Sequence, residues 1–457
     1  MLRSLITFLP LPRGAFLRGA TLGLAVLPMA ALTGPVPGAG PAMAQEAGPL
    51  RIEITDGVVE AMPIAIPAFR GDAEIAAQLR EVVAADLTGT GLFREIAGTG
   101  TRSAGFGDAV AYEDWRSAGA QALVSAEVTR NGDNISVKFR LYDVIAGQPQ
   151  GDGMQFDARA GDLRRAAHKI ADQIYTRLTG ETPYFDSRVA FVQETGPKDA
   201  RIKRIGVMDY DGHNILWMTN SASLVLAPDF SRNGRLIAYT SFEGGFPQVR
   251  ALDVATVTSR ALTSGTDSMA FSPRFSPDGQ WIAYAREQGG NTDIWLMDAA
   301  SGAGRPLTQA PSIETSPSFS PDGQRIVFES DRSGTPQLYV MPVSGGEPTR
   351  ISFGEGRYGA PAWSPKGDMI AFAKQNGGRF QIGVMRTDGS GEKLLTDSFL
   401  DEGPTWAPNG RVVMFTRTSA GGNGEPRLHS VDITGRNMRP LDLNFAASDP
   451  SWGPVQP

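Results

Sequence analysis

The sequence predicts an α+β multidomain chain: a small N-terminal α/β domain followed by a six-bladed β-propeller that is closed by strands from the two ends of the ring. Three observations carry this reading. The last two-thirds of the chain repeats with a period of about 44 residues. Each end of the repeat region holds strands that lack partners of their own, and upstream of it helical and strand periods alternate. The expected boundaries are 58–183 for the α/β domain and 187–454 for the propeller.

The repeat is read from its aromatic residues. They follow a proline in Pro228-Asp229-Phe230, Pro273-Arg274-Phe275, Pro317-Ser318-Phe319, Pro361-Ala362-Trp363, Pro404-Thr405-Trp406 and Pro450-Ser451-Trp452. Successive aromatics stand 45, 44, 44, 43 and 46 residues apart, a regularity that chance does not produce. After each of the first five comes a hairpin turn, at Asn233-Gly234, Asp278-Gly279, Asp322-Gly323, Lys366-Gly367 or Asn409-Gly410. Asn-Gly and Asp-Gly favour the positive φ that matches the twist of paired strands. β-Branched and aromatic runs such as Leu236-Ile237-Ala238-Tyr239 and Trp281-Ile282-Ala283-Tyr284 then read as second strands. Third strands are expected at Asp293-Ile294-Trp295-Leu296-Met297 and Gln381-Ile382-Gly383-Val384-Met385, and short fourth strands ending in Leu262-Thr263, Leu307-Thr308, Ile351-Ser352 and Leu395-Thr396. Four strands per repeat is the signature of a propeller blade.

The closure of the ring follows from what is missing. The sixth proline-aromatic strand, at Pro450 to Trp452, has no second strand after it. Upstream, Arg188-Val189-Ala190-Phe191-Val192, Arg204-Ile205-Gly206-Val207-Met208 and Ile215-Leu216-Trp217-Met218 read as second, third and fourth strands without a first. Joining the two fragments completes a sixth blade and removes exposed sheet edges.

In the α/β domain, Met62-Pro63-Ile64-Ala65-Ile66-Pro67 reads as a buried strand. Ile75, Leu79, Val82, Val83 and Leu87 share one face of a helix that Asp72 is placed to cap. Ala122-Leu123-Val124 and the alternating Ile135, Val137, Phe139 and Leu141 give further strands around Asn131-Gly132. A last helix is expected from near Asp162, burying Leu163, Ala166, Ala167, Ile170, Ile174 and Leu178 and stopping at Gly180.

Residues 1–44 read as an export signal. Arg3, Arg13 and Arg18 precede an apolar run from Ala20 to Leu32, and Ala42-Met43-Ala44 offers a small-x-small cleavage site, so a mature start at Gln45 is expected. The apolar run is short for a membrane span. A single-pass anchored protein is the alternative, and the long charged leader leaves room for a translation start further downstream. The 457 residues carry a net charge of -6 and no cysteine, so the mature protein is expected to be soluble, exported and independent of disulfides. Without a basic run the sequence offers nothing to a nucleic-acid backbone.

Specific phrases in the α/β domain carry a resemblance. Leu163-Arg164-Arg165-Ala166-Ala167-His168-Lys169-Ile170-Ala171-Asp172-Gln173-Ile174-Tyr175 runs into Leu178-Thr179-Gly180-Glu181. With Asp86-Leu87 before Gly91-Leu92-Phe93, Asp114-Trp115-Arg116 before Gly119-Ala120, and Leu400-Asp401-Glu402 before Ala407-Pro408-Asn409-Gly410, the chain resembles the TolB family of the Tol-Pal envelope system. The resemblance covers everything after residue 44. It implies a periplasmic adaptor without a reaction of its own, linking the inner-membrane-anchored TolA to the peptidoglycan-associated lipoprotein Pal and supporting outer-membrane integrity and constriction at cell division. It implies a monomer with no direct membrane insertion, no cofactor and no metal.

In that family the mature N-terminus binds TolA, which points to segment 45–57 here, with Gln45, Leu50, Arg51, Ile52, Ile54 and Asp56 as its candidates. Leu50-Arg51-Ile52-Glu53-Ile54 alternates apolar and charged residues, as a strand added to a sheet edge would. It could equally be the first strand of the α/β domain. The family's Pal site lies where outer strands lead into the next inner strand. That implies Met269, Phe271, Thr315, Tyr358, Asp401, Glu402 and Ser448, with Met269, Phe271 and Tyr358 as apolar anchors. Met269 stands where some relatives carry histidine.

An enzyme reading finds little support. No G-x-S-x-G elbow or glycine-rich phosphate loop is present, and His168, His213 and His429 lack zinc-ligand spacing. His168 reads as a structural helix residue. Asp322 and Asp401 could hold a cation in the channel, although acidic residues at turns more often serve turn chemistry. A propeller enzyme or ion-dependent binding protein remains the alternative.

Overall fold

The computed structural model describes residues 50–52, 60–197, 200–264, 268–421 and 424–457. The export signal expected at 1–44, and Gln45, Ile54 and Asp56, lie outside the described residues.

The α/β region is built on one sheet in the order Phe93–Glu95, Met62–Ala65, Ala122–Asn131, Asn134–Asp143, Gln148–Pro149, with Arg70–Gly71 and Met154–Arg159 pairing off this path. Helix α1 (Ala73–Gly89) starts where predicted, because Asp72 Oδ1 accepts from the Ile75 N–H at 3.2 Å. A short helix α2 (Tyr112–Ser117) buries Trp115. Helix α3 (Leu163–Thr179) ends on Gly180, whose φ of 74° is the left-handed cap that glycine adopts without a steric penalty. α1 and α3 pack on each other, with Ile75, Leu79, Val83, Leu87, Ile170, Ile174 and Leu178 in the core.

The propeller has six four-stranded antiparallel sheets. Blades 1 to 5 run in chain order and begin with the inner strands Val225–Phe230, Met269–Phe275, Glu314–Phe319, Arg357–Trp363 and Leu400–Trp406. Blade 6 takes its inner strand from Ala446–Val455 and its other three from Ser187–Thr195, Ile202–Asp209 and Leu216–Trp217. The predicted seam is present, with Ser451 opposite Ala190 and Trp452 opposite Val189. The five turn glycines, Gly234, Gly279, Gly323, Gly367 and Gly410, all have the positive φ expected of them.

Two repeated devices were not visible in the sequence. Every inner strand shifts register at its proline, and the residue before that proline has a left-handed φ. These are Ala227, Ser272, Ser316, Ala360, Gly403 and Asp449, at 48°, 53°, 53°, 47°, 61° and 50°. A non-glycine residue in this region is strained by about 1 kcal/mol or more, so packing must hold five of the six in place. The bulge turns backbone donors toward the neighbouring blade. Phe230 N–H donates to Ser451 Oγ (3.1 Å), Phe275 N–H to Asp229 Oδ2 (2.8 Å), Trp363 N–H to Ser318 Oγ (3.0 Å) and Trp452 N–H to Thr405 Oγ1 (3.0 Å).

The second device corrects an expected strand end. Outer strands such as Thr258–Ala261 and Gly304–Pro306 stop before the Leu-Thr and Ile-Ser pairs. The chain leaves the sheet there so that the hydroxyl can cap the third strand. Thr263, Thr308, Ser352 and Thr396 accept from the N–H of Val249, Ile294, Leu338 and Ile382 at 3.0, 2.9, 2.9 and 2.9 Å. Each accepts a donor that would otherwise be buried without a partner.

Between the α/β region and the propeller the core is continuous. Tyr175 of α3 and Tyr184, Phe185, Tyr210 and Trp452 form one aromatic group with ring centroids 4.5 to 6.3 Å apart. Asp172 on α3 grips the connecting segment by accepting the N–H groups of Tyr184, Phe185 and Asp186 at 2.9, 2.8 and 3.0 Å.

Trp452 joins the seam to this aromatic group and donates to Ser187 Oγ at 2.8 Å, so Trp452→Ala is expected to lower unfolding free energy by about 3–5 kcal/mol in urea melts. At Gly403 an added Cβ would meet nothing within 4 Å, so Gly403→Ala is expected to lose only its conformational term, about 1 kcal/mol, in the same melts.

Candidate functional site

The α/β region occupies one end of the propeller. Its contacts are with the first-to-second and third-to-fourth strand turns: Tyr175 with Asn409, Glu181 with Lys366 (2.8 Å), Gly89 with Asn437 (2.8 Å), and Arg164 with Asp211 (2.6 Å). In an antiparallel blade those turns share one end, so the outer-to-inner loops lie at the other end, away from the α/β region. All seven residues expected in the second partner site stand at the starts of inner strands on that free end.

The structure divides these seven. Met269 and Glu402 are exposed, and Phe271 and Thr315 are half-buried. Tyr358, Asp401 and Ser448 are buried, which corrects the expectation that they present themselves to a partner. Tyr358 packs on Phe372, donates its hydroxyl to Glu392 Oε2 at 2.8 Å and lies under Lys374 Nζ, so it is a packing residue and not an open anchor. Asp401 is no turn carboxylate either: Arg417 holds it with two 2.7 Å hydrogen bonds and Ser398 Oγ donates at 2.7 Å. Ser448 Oγ donates to Glu194 Oε1 at 2.6 Å. For Tyr358 and Asp401 the cause is strand alternation, which turns every second side chain into the blade; Ser448 shares the register of Phe271, Thr315 and Glu402 and is buried where it meets Glu194.

The same loops expose further apolar residues, of which the sequence reading names Ile313 only as part of its loop and Phe353 and Phe399 not at all. Phe353 is 71% exposed, Phe399 55% and Ile313 53%, and each directly precedes an inner strand or lies in the loop leading to it. Their signal was an aromatic or branched residue in an otherwise polar loop, as in Ser352-Phe353-Gly354-Glu355-Gly356. Exposed apolar groups gathered at one end of a molecule mark an interaction surface. Beside them Glu402 reaches the channel water, yet its carboxyl is held above the usual range, first by enclosure in the channel wall and then by Asp449, against Lys203, and by Glu194 and Asp401. The channel also holds a cavity of about 690 Å³, lined by Asp229, Arg274, Ser318, Trp363, Trp406 and Trp452 and, toward the α/β end, by Thr182 and the first-to-second strand turns. Asp322 accepts from the Gln324 N–H at 3.0 Å, which is the turn role expected of it.

Two of the three histidines are not as separate as their spacing implies. His168 on α3 and His213 in the propeller lie 3.5 and 3.3 Å from the two oxygens of Asp211. With Asp86, one ligand atom each of His168 and Asp211 falls within 4.8 Å, close enough for an ion. Asp211 is already held twice by Arg164, however, and the imidazole is bonded to Asp86 at 2.7 Å, so both carboxylates have partners within the group.

The comparisons with known proteins agree with this architecture. The TolB beta propeller domain matches residues 175–456 and the TolB amino-terminal domain residues 50–150. The Tol-Pal system protein TolB of Roseobacter denitrificans is 60% identical over 422 residues, covering 91% of this chain and 95% of that protein. That of Jannaschia sp. is 62% identical over 418 residues, covering 90% and 94%. The chain belongs to the TolB family of the Tol-Pal system. The crystal structure of TolB from Acinetobacter baumannii superposes with a TM-score of 0.78 at 27% identity, covering 89% of this chain and all of that one. Among the described residues no helix is long and apolar enough to cross a membrane.

The expected N-terminal site of this TolB-family chain begins in the described residues with Leu50, Arg51 and Ile52. These three are not in a strand. Ile52 is buried and its N–H donates to Leu178 O at 2.7 Å, while Leu50 O accepts from Gln150 Nε2 at 3.0 Å. Arg51 is exposed. The segment therefore rests on the carboxyl end of α3.

The division of the seven residues is testable. Asp401→Ala strands the Arg417 guanidinium and is expected to destabilise the fold by about 3 kcal/mol, whereas Met269→Ala at the surface should shift it by less than about 0.5 kcal/mol, both read by urea unfolding.

Proposed function

We propose that the protein is a non-enzymatic periplasmic adaptor that links TolA to Pal, and through that link supports outer-membrane integrity and envelope constriction at cell division. The observation that carries the reading is the free end of the propeller, where Phe353, Phe399, Ile313 and Met269 stand exposed together with the polar Glu402 within a TolB-family chain. Apolar anchors ringed by polar groups are the anatomy of a protein-protein interface. This end takes Pal. Met269, Phe271, Thr315 and Glu402 form its contact surface together with Phe353 and Phe399, and the buried Tyr358, Asp401 and Ser448 hold the loops in shape.

TolA takes the N-terminal segment. Gln45, Leu50, Arg51, Ile52, Ile54 and Asp56 supply its contacts, and the charged-apolar alternation supports pairing with a sheet edge. The positively charged leader and small-x-small motif at 42–44 support export to the periplasm with cleavage after Ala44.

A pull-down from envelope extracts with the full mature chain tests the reading. Pal and TolA should both co-purify; turnover of a lactone or peptide without either partner would overturn it. Phe353→Asp is expected to weaken Pal binding at least about tenfold with TolA binding unchanged. Removing residues 45–56 should abolish TolA capture while Pal affinity and the propeller's melting stay as they were. Retained TolA capture, or an unchanged Pal affinity for Phe353→Asp, would reject the respective assignment.

A further inference from the structure

Where α1, α3 and the 210–213 turn of blade 6 meet, an imidazole and several carboxylates are withdrawn from water. His168 on α3 is 1% exposed. Its Nδ1 lies 2.7 Å from Asp86 Oδ2 on α1, and its Nε2, which has no hydrogen-bond partner, points at Asp211 Oδ2 from 3.5 Å. The other oxygen of Asp86 accepts the Tyr210 hydroxyl at 2.6 Å, and the Tyr210 ring stands edge-on to the imidazole at 5.4 Å. Arg164 closes the chain on Asp211, the exposed His213 flanks it, and Asp209 and Arg439 act from the propeller side.

A neutral imidazole here would leave the buried Asp86 facing an uncharged ring while Arg164 bonds only the half-buried Asp211. A protonated one gives alternating charge, Asp86 negative, His168 positive, Asp211 negative and Arg164 positive. The first of these belongs to the α/β region and the third to the propeller. We propose that the proton on His168 is the bolt that fastens the α/β region to the propeller, one ring N–H facing each side, and that its loss loosens this junction.

The electrostatics are consistent with that geometry. Burial opposes the charge on His168, but the charge and hydrogen bond of Asp86, with Asp211 and Asp209, outweigh it and push the ring up to about 9. A pKa raised on folding from 6.5 stabilises fully below that value, and the stabilisation is lost as pH rises through about 9. Burial pushes the Tyr175, Tyr184 and Tyr210 phenols up, and, although burial works the other way, His168 and Arg164 hold Asp211 below the carboxylate range. Asp172 is raised by burial to about 6, so it is ionised on the alkaline side, and burial also raises Asp209.

Two measurements on the full chain test this. In protein labelled with ¹³C-histidine, the ring signal absent from His168→Gln should titrate with a midpoint near 9, and Asp211→Asn should lower that midpoint. A midpoint at or below about 7, or one unmoved by Asp211→Asn, overturns the proposal. Chymotrypsin cleavage at the buried Tyr184 and Phe185, normalised to an unstructured peptide at each pH, should rise at least about tenfold between about pH 7 and pH 9.5. His168→Gln should already be cut fast at the lower pH and show no further step. A wild-type rate flat with pH, or the same step in the variant, also overturns it; should His168→Gln not fold, the wild-type and Asp211→Asn titrations decide alone.

Discussion

The ring depends on a break in its own regularity. Each inner strand must give up ladder hydrogen bonds at its proline, which has no N–H, and the left-handed residue before it absorbs the change in direction. The donors this frees are taken by side chains one position after the neighbouring proline: Asp229, Ser318, Thr405 and Ser451. Blades otherwise meet through apolar layers, which are non-directional. These polar stitches fix how one inner strand stands against the next, and with it the width of the channel and the placement of the loops at its mouth.

α3 plays the corresponding part for the α/β region. One face of the helix packs on α1 and the sheet; Tyr175 enters the aromatic group shared with Trp452; Asp172 holds the connecting segment; and Leu178 O receives the Ile52 N–H. A single helix thus touches the propeller, the connection to it and the described part of the N-terminal segment.

How much of this could be read from sequence follows from what each signal measures. The proline-aromatic spacing and the Asn-Gly and Asp-Gly turns are local and repeated, so blade number, strand order and the seam were all legible. The left-handed bulge was not, because Ala227, Ser272, Ser316 and Ala360 are residues that avoid positive φ on their own, and only Gly403 advertised it. The outer strands were extended too far since Leu262-Thr263 and its counterparts look like strand, while the role of the hydroxyl depends on a partner fourteen residues away. At the candidate site the loops were found but the phase was not: Tyr358 and Asp401 are turned into the blade, Ser448 is taken up by Glu194, and Phe353 and Phe399 in the preceding loops are exposed. His168 read as a structural helix residue, and its partners Asp86 and Asp211 could not be named from the sequence since neither lies near it in the chain.

The seam has a kinetic side. Pairing Val455 with Ser187 closes a loop that contains five complete blades, which places the most distant contact of the ring in its first sheet. Contacts of high sequence separation form slowly because the entropy of closure is spent before the pairing returns it. The three strands of blade 6 laid down first must therefore wait with an open edge, next to α3, until the last strand is delivered. The last strand, Ala446–Val455, closes that edge and brings Trp452 against the Tyr184-Phe185 segment, so the blade that cannot finish itself is completed beside the connection from α3.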